Sequence, residues 1–220
     1  NRPGAPDLPP PRSMPEPDRA TTVLTRLAGA AGAAFGAIGL IGWIMDSTAL
    51  RSMLVGAPAM KPSAALGLLL AGGAVIALDL RTAPSLRRTA QCVGLIIAVL
   101  AVVPLGQDLF AWRHGIDTWA MPADAGWGDA ESLRMAPLTA VALAAIGSAL
   151  VLAPHPRLRR PTRALAAVAI ADGTLCLLGY AWHLGEPGGN PLIPAMAVHA
   201  ALGLVTIGAG LWLHAGPGHG

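Results

Sequence analysis

Charged residues are scarce in this sequence of 220 residues, of which only 12% are Asp, Glu, Lys or Arg. Soluble domains carry roughly 25% charged residues, so this chain has too few charges to solvate a globular surface. Since 54% of its residues are hydrophobic, we expect its main solvent to be lipid. The basic residues lie in the links between apolar segments and form no patch, which argues against nucleic-acid binding.

Cysteine is equally sparse, and the two cysteines, Cys92 and Cys176, each fall inside an apolar stretch. They provide neither a disulfide framework nor the spacing of a metal site. The sequence also lacks a His-Glu-x-x-His motif, a Walker loop, a dinucleotide-binding loop and a nucleophile elbow. We therefore expect a non-enzymatic protein that requires no metal and no cofactor.

Six apolar segments are each about long enough to cross a hydrocarbon core, which takes roughly 17–25 residues. They do not alternate as membrane strands do, and only helices then satisfy the backbone in lipid. The sequence predicts an all-α fold with a six-helix transmembrane domain at 27–213, a proline-rich extended arm at 1–26 and a short tail at 214–220. The predicted spans are Leu27–Met45, Pro62–Leu80, Ala90–Leu109, Met135–Ala153, Ala164–Trp182 and Pro194–Leu213.

The basic residues also predict an orientation. Eleven of the 15 Lys and Arg residues precede the first, third or fifth segment. Because positive links stay on the cytoplasmic side, we expect both termini to be cytoplasmic in a bacterial inner membrane. The long link after the third segment should face outward.

An internal repeat is visible at the starts of the second, fourth and sixth segments. The three starts read Met60-Lys61-Pro62-Ser63-Ala64-Ala65-Leu66, Met135-Ala136-Pro137-Leu138-Thr139-Ala140 and Pro194-Ala195-Met196-Ala197-Val198-His199-Ala200-Ala201-Leu202. Proline is tolerated in a first helical turn, and small residues behind it allow close helix approach. The repeat predicts three helical hairpins.

These starts, together with Gly42-Trp43-Ile44-Met45-Asp46, Gly115-Ile116-Asp117 and Leu178-Gly179-Tyr180, resemble a known family. It is the six-helix membrane input domain found at the N-terminus of bacterial sensor histidine kinases and diguanylate cyclases. The resemblance implies a sensory role. The family's usual Asn-Thr after the repeat proline is replaced here by Ser63-Ala64 and Leu138-Thr139. We also expect no output domain after the sixth segment.

Three polar residues of the apolar segments are candidate site residues. Asp172 lies in the middle of the fifth segment, where a charge is costly, so it is either a proton- or ligand-linked switch or a carboxyl bonded inside the bundle. His199 and His183 are either ligands of a haem or chlorophyll-type pigment or, for a lone helix histidine, hydrogen-bond donors to a neighbouring helix.

A glycine stripe marks one face of the first segment, at spacings of 3, 4 and 3 residues. It consists of Gly29, Gly32, Gly36 and Gly39. Small residues at such spacing let helices approach closely. The stripe is either a docking face for another subunit or a contact within the bundle.

We predict first an accessory subunit that packs with lipids and other subunits in a larger membrane complex of photosynthetic or respiratory type. The chain end soon after the sixth segment and the glycine stripe favour this function. The alternative is a sensory input domain that lacks its output domain. Transport is less favoured, because there is no pair of broken helices and only one buried charge.

Overall fold

The computed structural model describes residues 19–54, 57–80, 84–110, 135–183 and 196–216, without the side chains of 107–110 and 183. All regular structure in these ranges is helical, which confirms the all-α prediction for this part of the chain. The helices are α1 Arg19–Ile44, α2 Thr48–Ser52, α3 Pro62–Asp79, α4 Pro84–Phe110, α5 Pro137–Leu152, α6 Arg159–His183 and α7 Val198–His214, with a 3-10 turn at Pro156–Leu158.

Proline begins three of these helices, namely α3, α4 and α5. Its fixed φ suits a first turn, and its missing N–H has no partner within the helix anyway. By contrast, α7 begins at Val198, so Pro194 of the third repeat start is not a first-turn residue of a described helix. The three inner helices nevertheless begin in register, because each starts two residues after a methionine, at Pro62, Pro137 and Val198.

The predicted extended arm is too long at its C-terminal end. The segment from Arg19 to Arg26 belongs to α1, which begins eight residues before the predicted span. No proline follows Pro17 there, and Thr25 and Arg26 are anchored, since Thr25 is fully buried and Arg26 pairs with Asp79. Hydropathy marks the part of a helix in lipid, whereas the helix itself continues into its polar end. The arm residues 1–18 and the tail residues 217–220 lie outside the described residues.

Three inner helices, α3, α5 and α7, contact one another and hold most of the buried residues. Three outer helices cover them. α1 packs on α3 and α7, α4 on α5 and α3, and α6 on α7 and α5. Each outer helix thus packs on two inner helices, one of which is the inner helix that follows it in the chain.

Four of the described helices are long and apolar enough to cross a membrane: Arg19–Ile44, Pro62–Asp79, Pro84–Gly106 and Pro156–Trp182. The other two, Pro137–Leu152 and Val198–His214, are equally apolar but shorter. With a rise of about 1.5 Å per residue, a 17-residue helix is about 26 Å long. Apolar side chains such as Leu95 and Leu175 point outward from the bundle, as expected of a membrane protein.

One side-chain contact connects the first turns of each outer helix with the end of the inner helix that follows it in the chain. Arg26 Nε pairs with Asp79 Oδ2 at 2.6 Å, Gln91 donates to the Val151 carbonyl at 3.1 Å, and Arg163 stacks on Trp212. The starts of α1, α4 and α6 therefore lie at one end of the bundle, and the starts of α3, α5 and α7 lie at the other.

Candidate functional site

The starts of the three inner helices meet around one cleft. It has a volume of about 210 Å³ and is lined at the repeat starts by Met60, Lys61, Met135, Thr139 and Met196 together with small apolar neighbours. All three methionines are almost fully buried, with 1–2% of their surface exposed. The cleft therefore brings together residues that are more than 130 positions apart in the sequence. Within the described residues, the three repeat starts meet at this cleft. We call it the opening-turn cleft.

The wall formed by Met60 is held from α1 and α2. Trp43 Nε1 donates to the Met60 carbonyl at 2.7 Å, and the Met60 amide donates to the Arg51 carbonyl at 2.7 Å. The Arg51 guanidinium lies 4.2 Å from the centre of the Trp43 ring and pairs with Asp46. A cation over an indole is attractive and orients both groups. The residues Gly42 to Asp46 thus support the cleft.

The wall formed by Met196 is held from α6. Tyr180 Oη donates to the Met196 carbonyl at 2.6 Å, and the Cys176 thiol lies 3.7 Å from the same oxygen. Asp172 is one helical turn from Cys176, so the three polar side chains share a face of α6. Asp172 is 8% exposed, and its Oδ2 has no hydrogen-bond partner among the described residues. This face leads from the middle of α6 to the opening-turn cleft.

His199 is fully buried beside the cleft wall. A β-carbon built at Gly39 would lie 3.5 Å from His199 Nε2 and 2.6 Å from Met60 Sδ. Neither ring nitrogen has a hydrogen-bond partner within the described ranges, and His199 is not one of the cleft-lining residues. His183 ends α6, and its side chain lies outside the described residues.

The glycine stripe faces inward. A β-carbon at Gly29 would lie 2.8 Å from the Gly72 carbonyl, and one at Gly36 would lie 2.5 Å from the Ala65 carbonyl. One at Gly32 would overlap Ile207 of α7. All four stripe glycines are buried within the chain, so this face of α1 is occupied by α3 and α7.

Lys61 is the one ionisable residue among the described residues of the cleft wall. Burial lowers the pKa of its amine from the ordinary value, because desolvation disfavours the charged form. The remaining lining is Met, Ala, Pro and Thr. An apolar cleft with a single amine suits a small organic anion whose acidic group meets Lys61.

Sequence reasoning missed Arg51, Lys61 and Thr139 as site residues. Lys61 and Thr139 lay within the repeat starts, and the available signal was that each is a polar residue where the other two starts have alanine. Arg51 had no signal, because its contacts with Gly42, Trp43 and Asp46 depend on the fold of α2. The described residues include no cluster of three His, Cys, Asp or Glu side chains that could hold a metal ion.

Comparison with family models, with curated proteins and with solved structures gives no match to this chain.

Proposed function

We propose that the chain is a non-enzymatic sensory input module that binds a small organic anion in the opening-turn cleft. One observation carries this proposal: the starts of α3, α5 and α7 converge on one cleft with Lys61 in its wall. A ligand there touches all three inner helices at once. Its binding energy can then shift their packing, which is what a sensor requires.

The contacts around the cleft support a path for such a shift. Met196 is bonded to α6 through Tyr180, and Met60 is bonded to α1 through Trp43. A displacement at the cleft is therefore passed to two outer helices. Asp172 lies on the same face of α6 as Tyr180, so its role in this proposal is that of the switch.

The test is a thermal-shift titration of the purified chain with acetate, butyrate and hexanoate. At ten times its Kd a bound anion raises Tm by about 3–6 °C, given the linkage relation and the size of the chain. Lys61→Met abolishes the shift. Arg88→Met, which removes an exposed arginine at the other end of the bundle, leaves it unchanged.

A second measurement tests sensing itself. The chain is joined after α7 to a heterologous histidine-kinase output, and autophosphorylation is followed with and without the anion. The sensory proposal fails if the anion binds and Asp172→Asn, Lys61→Met and the parent chimera all show the same output. An anion that shifts Tm equally in Lys61→Met removes the cleft as its site.

We further propose that all six long helices span the membrane as three hairpins, with both termini cytoplasmic. The packing of α1 on α3, α4 on α5 and α6 on α7 supports the hairpins. The gathering of Arg26, Arg87, Arg88 and Arg163 at the starts of the outer helices supports the orientation through the positive-inside rule. The shorter α5 and α7 are inner helices, largely surrounded by protein.

A second candidate function is an accessory subunit of a larger membrane complex. The outward faces of α4 and α6 favour it, because Leu95, Ile96, Leu175 and Leu178 are more than half exposed. Such faces fit either lipid or the helices of other subunits. Purification in mild detergent tests this function, since a subunit brings stoichiometric partners whereas an independent module elutes alone.

A further inference from the structure

We propose that the groove between α6 and α7 is a binding site for one anionic phospholipid. The site is separate from the opening-turn cleft and does not depend on the proposed function. Its acyl-chain part is an apolar groove, and its headgroup part is a group of arginines at the start of α6.

The groove has a volume of about 770 Å³, within the range of about 300–1,000 Å³ that small-molecule sites occupy. Seven of its eight lining residues are apolar, and the eighth is Thr174. The lining includes Ala167, Ala171 and Leu175 of α6 with Ala209 and Trp212 of α7. Small side chains at Ala167, Ala171 and Ala209 form the groove between the two helices. Its size and polarity suit a hydrocarbon chain.

Arg163 lies at one end of this groove. It is four residues before Ala167, so it occupies the same face of α6 one turn earlier, nearer the start of the helix. Its guanidinium carbon lies 4.2 Å from the centre of the Trp212 ring, and Trp212 lines the groove. The Arg163 Nε atom is buried and has no hydrogen-bond partner among the described residues. The residue as a whole is only partly buried, and a phosphate oxygen is a strong acceptor for a guanidinium group.

Arg159 and Arg160 extend the same face, since they precede Arg163 by four and three residues. The first turn of α6 contains no acidic residue, and no ion pair to these three arginines occurs in the part of the chain that the structure describes. The positive charge at the end of the groove is therefore uncompensated there. This charge selects an anionic headgroup over a zwitterionic one.

The occupant is a phospholipid because the apolar groove adjoins the arginine group, just as the acyl chains of a phospholipid adjoin its phosphate. An apolar groove alone would suit a partner helix as well. A transmembrane helix, however, has no general reason to end in an anion next to Arg163, whereas an anionic phospholipid always places its phosphate at the end of its chains. A partner helix is one outcome of the test.

The experiment uses the full chain, delipidated in detergent and titrated with dioleoyl phosphatidylglycerol or dioleoyl phosphatidylcholine. Native mass spectrometry counts the bound lipids. We expect one phosphatidylglycerol to bind before any other lipid, and Arg163→Gln to weaken it about fivefold, as expected for one basic residue at an anionic headgroup. Arg163→Lys keeps most of the affinity. Arg88→Gln, an exposed arginine away from the groove, is the matched control and has no effect.

Phosphatidylglycerol with brominated chains locates the lipid. Bromine quenches nearby indoles, so the first bound lipid quenches fluorescence in the wild type and not in Trp212→Phe. Ala171→Phe fills the groove at an exposed position and prevents binding without disturbing the core. Elution volume and helical circular dichroism show that each variant is folded.

Three results overturn the proposal. The first is equal affinity for the two phospholipids. The second is equal affinity of Arg163→Gln and Arg88→Gln for phosphatidylglycerol. The third is a protein chain that copurifies, is lost in Ala171→Phe and excludes the brominated lipid, which would make the groove a helix-docking site.

Discussion

Single residues set how closely the helices of this bundle approach. Gly36 brings α1 against the backbone of α3 at Ala65 and Leu69, so there is no room for a side chain. Gly94 does the same between α4 and α5, where a β-carbon would lie 2.7 Å from the Gly147 carbonyl. Gly173 has an equivalent place between α6 and α7, at 2.6 Å from the Ala201 carbonyl. Close packing through small residues is a main source of helix association in lipid.

Gly36→Leu should therefore destabilise the chain by about 1–3 kcal/mol or more, the usual cost of overpacking. Backbone atoms of Ala65 and Leu69 cannot move aside as the end of a flexible side chain does. Gly73→Leu is the matched control, because nothing lies within 4 Å of a β-carbon at Gly73 on the exposed side of α3. The measurement is Tm in detergent. Equal Tm values for the two variants would mean that α1 does not pack on α3 through Gly36.

Lys61 gives a prediction for pH. Burial lowers the pKa of its amine in the folded chain below that in the unfolded chain. As pH rises from the folded pKa toward the unfolded value of about 10.4, the unfolded chain binds more protons, and folding stability increases. Below the folded pKa both states are protonated, and the cost of burying the charge is fully present.

We expect the wild type to gain stability across this alkaline window relative to Lys61→Met, which has no amine to titrate. Hexanoate binding should weaken over the same window, because the amine loses the charge that attracts the carboxylate. Paired thermal-shift curves of both proteins from pH 7 to pH 10.5 measure the two effects. Parallel curves would show that Lys61 is as well solvated in the folded chain as in the unfolded one.

At the scale of helices, two bonds of the same kind hold the walls of the opening-turn cleft. Trp43 near the end of α1 donates to the carbonyl of Met60 before α3, and Tyr180 near the end of α6 donates to the carbonyl of Met196 before α7. In both cases an outer helix holds the start of the inner helix that follows it. These hydrogen bonds hold the Met60 and Met196 carbonyls in place although both residues lie outside regular secondary structure.

Tyr180→Phe removes one of these bonds and should lower stability by about 0.5–1.5 kcal/mol. It leaves the ring in place, so the loss reports the hydroxyl alone. Combining it with Trp43→Phe should give nearly additive losses, because the two bonds share no partner. Chemical or thermal unfolding of the two single variants and the double variant measures this. A strong coupling energy would contradict this expectation and would indicate that the two walls of the cleft unfold as one unit.

For the whole molecule, the ends of the bundle differ in charge and in chemistry. The arginine-bearing starts of α1, α4 and α6 lie at one end, and the opening-turn cleft lies at the other. Under the orientation proposed from the positive-inside rule, the cleft would open to the outside and the arginine end would face the cytoplasm. A ligand would then be met outside the cell.

Reporter fusions test this orientation. Alkaline phosphatase joined after Gly126, in the long link before α5, should be active, because the enzyme folds only outside the cytoplasm. A fusion after Thr82, in the basic link before α4, should be inactive, and a fluorescent protein fused at the same two sites should give the opposite pattern. Activity at Thr82 would reverse the orientation and place the cleft on the cytoplasmic side.

Much of the fold followed from the sequence alone. The scarcity of charge and the apolar segments without alternation predicted that the described chain is helical, because such segments can satisfy their peptide groups in lipid only as helices. The repeat starts, with Met60, Met135 and Met196 before them, indicated three related positions. The end of α1 nearest the N-terminus was predicted poorly, since hydropathy does not detect a helical turn that continues outside lipid.

Tertiary structure alone decided which surfaces are used. The glycine spacing in α1 was equally compatible with an outside partner and with a helix of the same chain, and only the positions of α3 and α7 show that the face is occupied within the chain. The meeting of three repeat starts in one cleft and the alignment of Arg163 with the α6–α7 groove also depend on helix packing. The physical reason is that the preference for helix is local, whereas contacts between distant segments depend on side-chain shape at every interface.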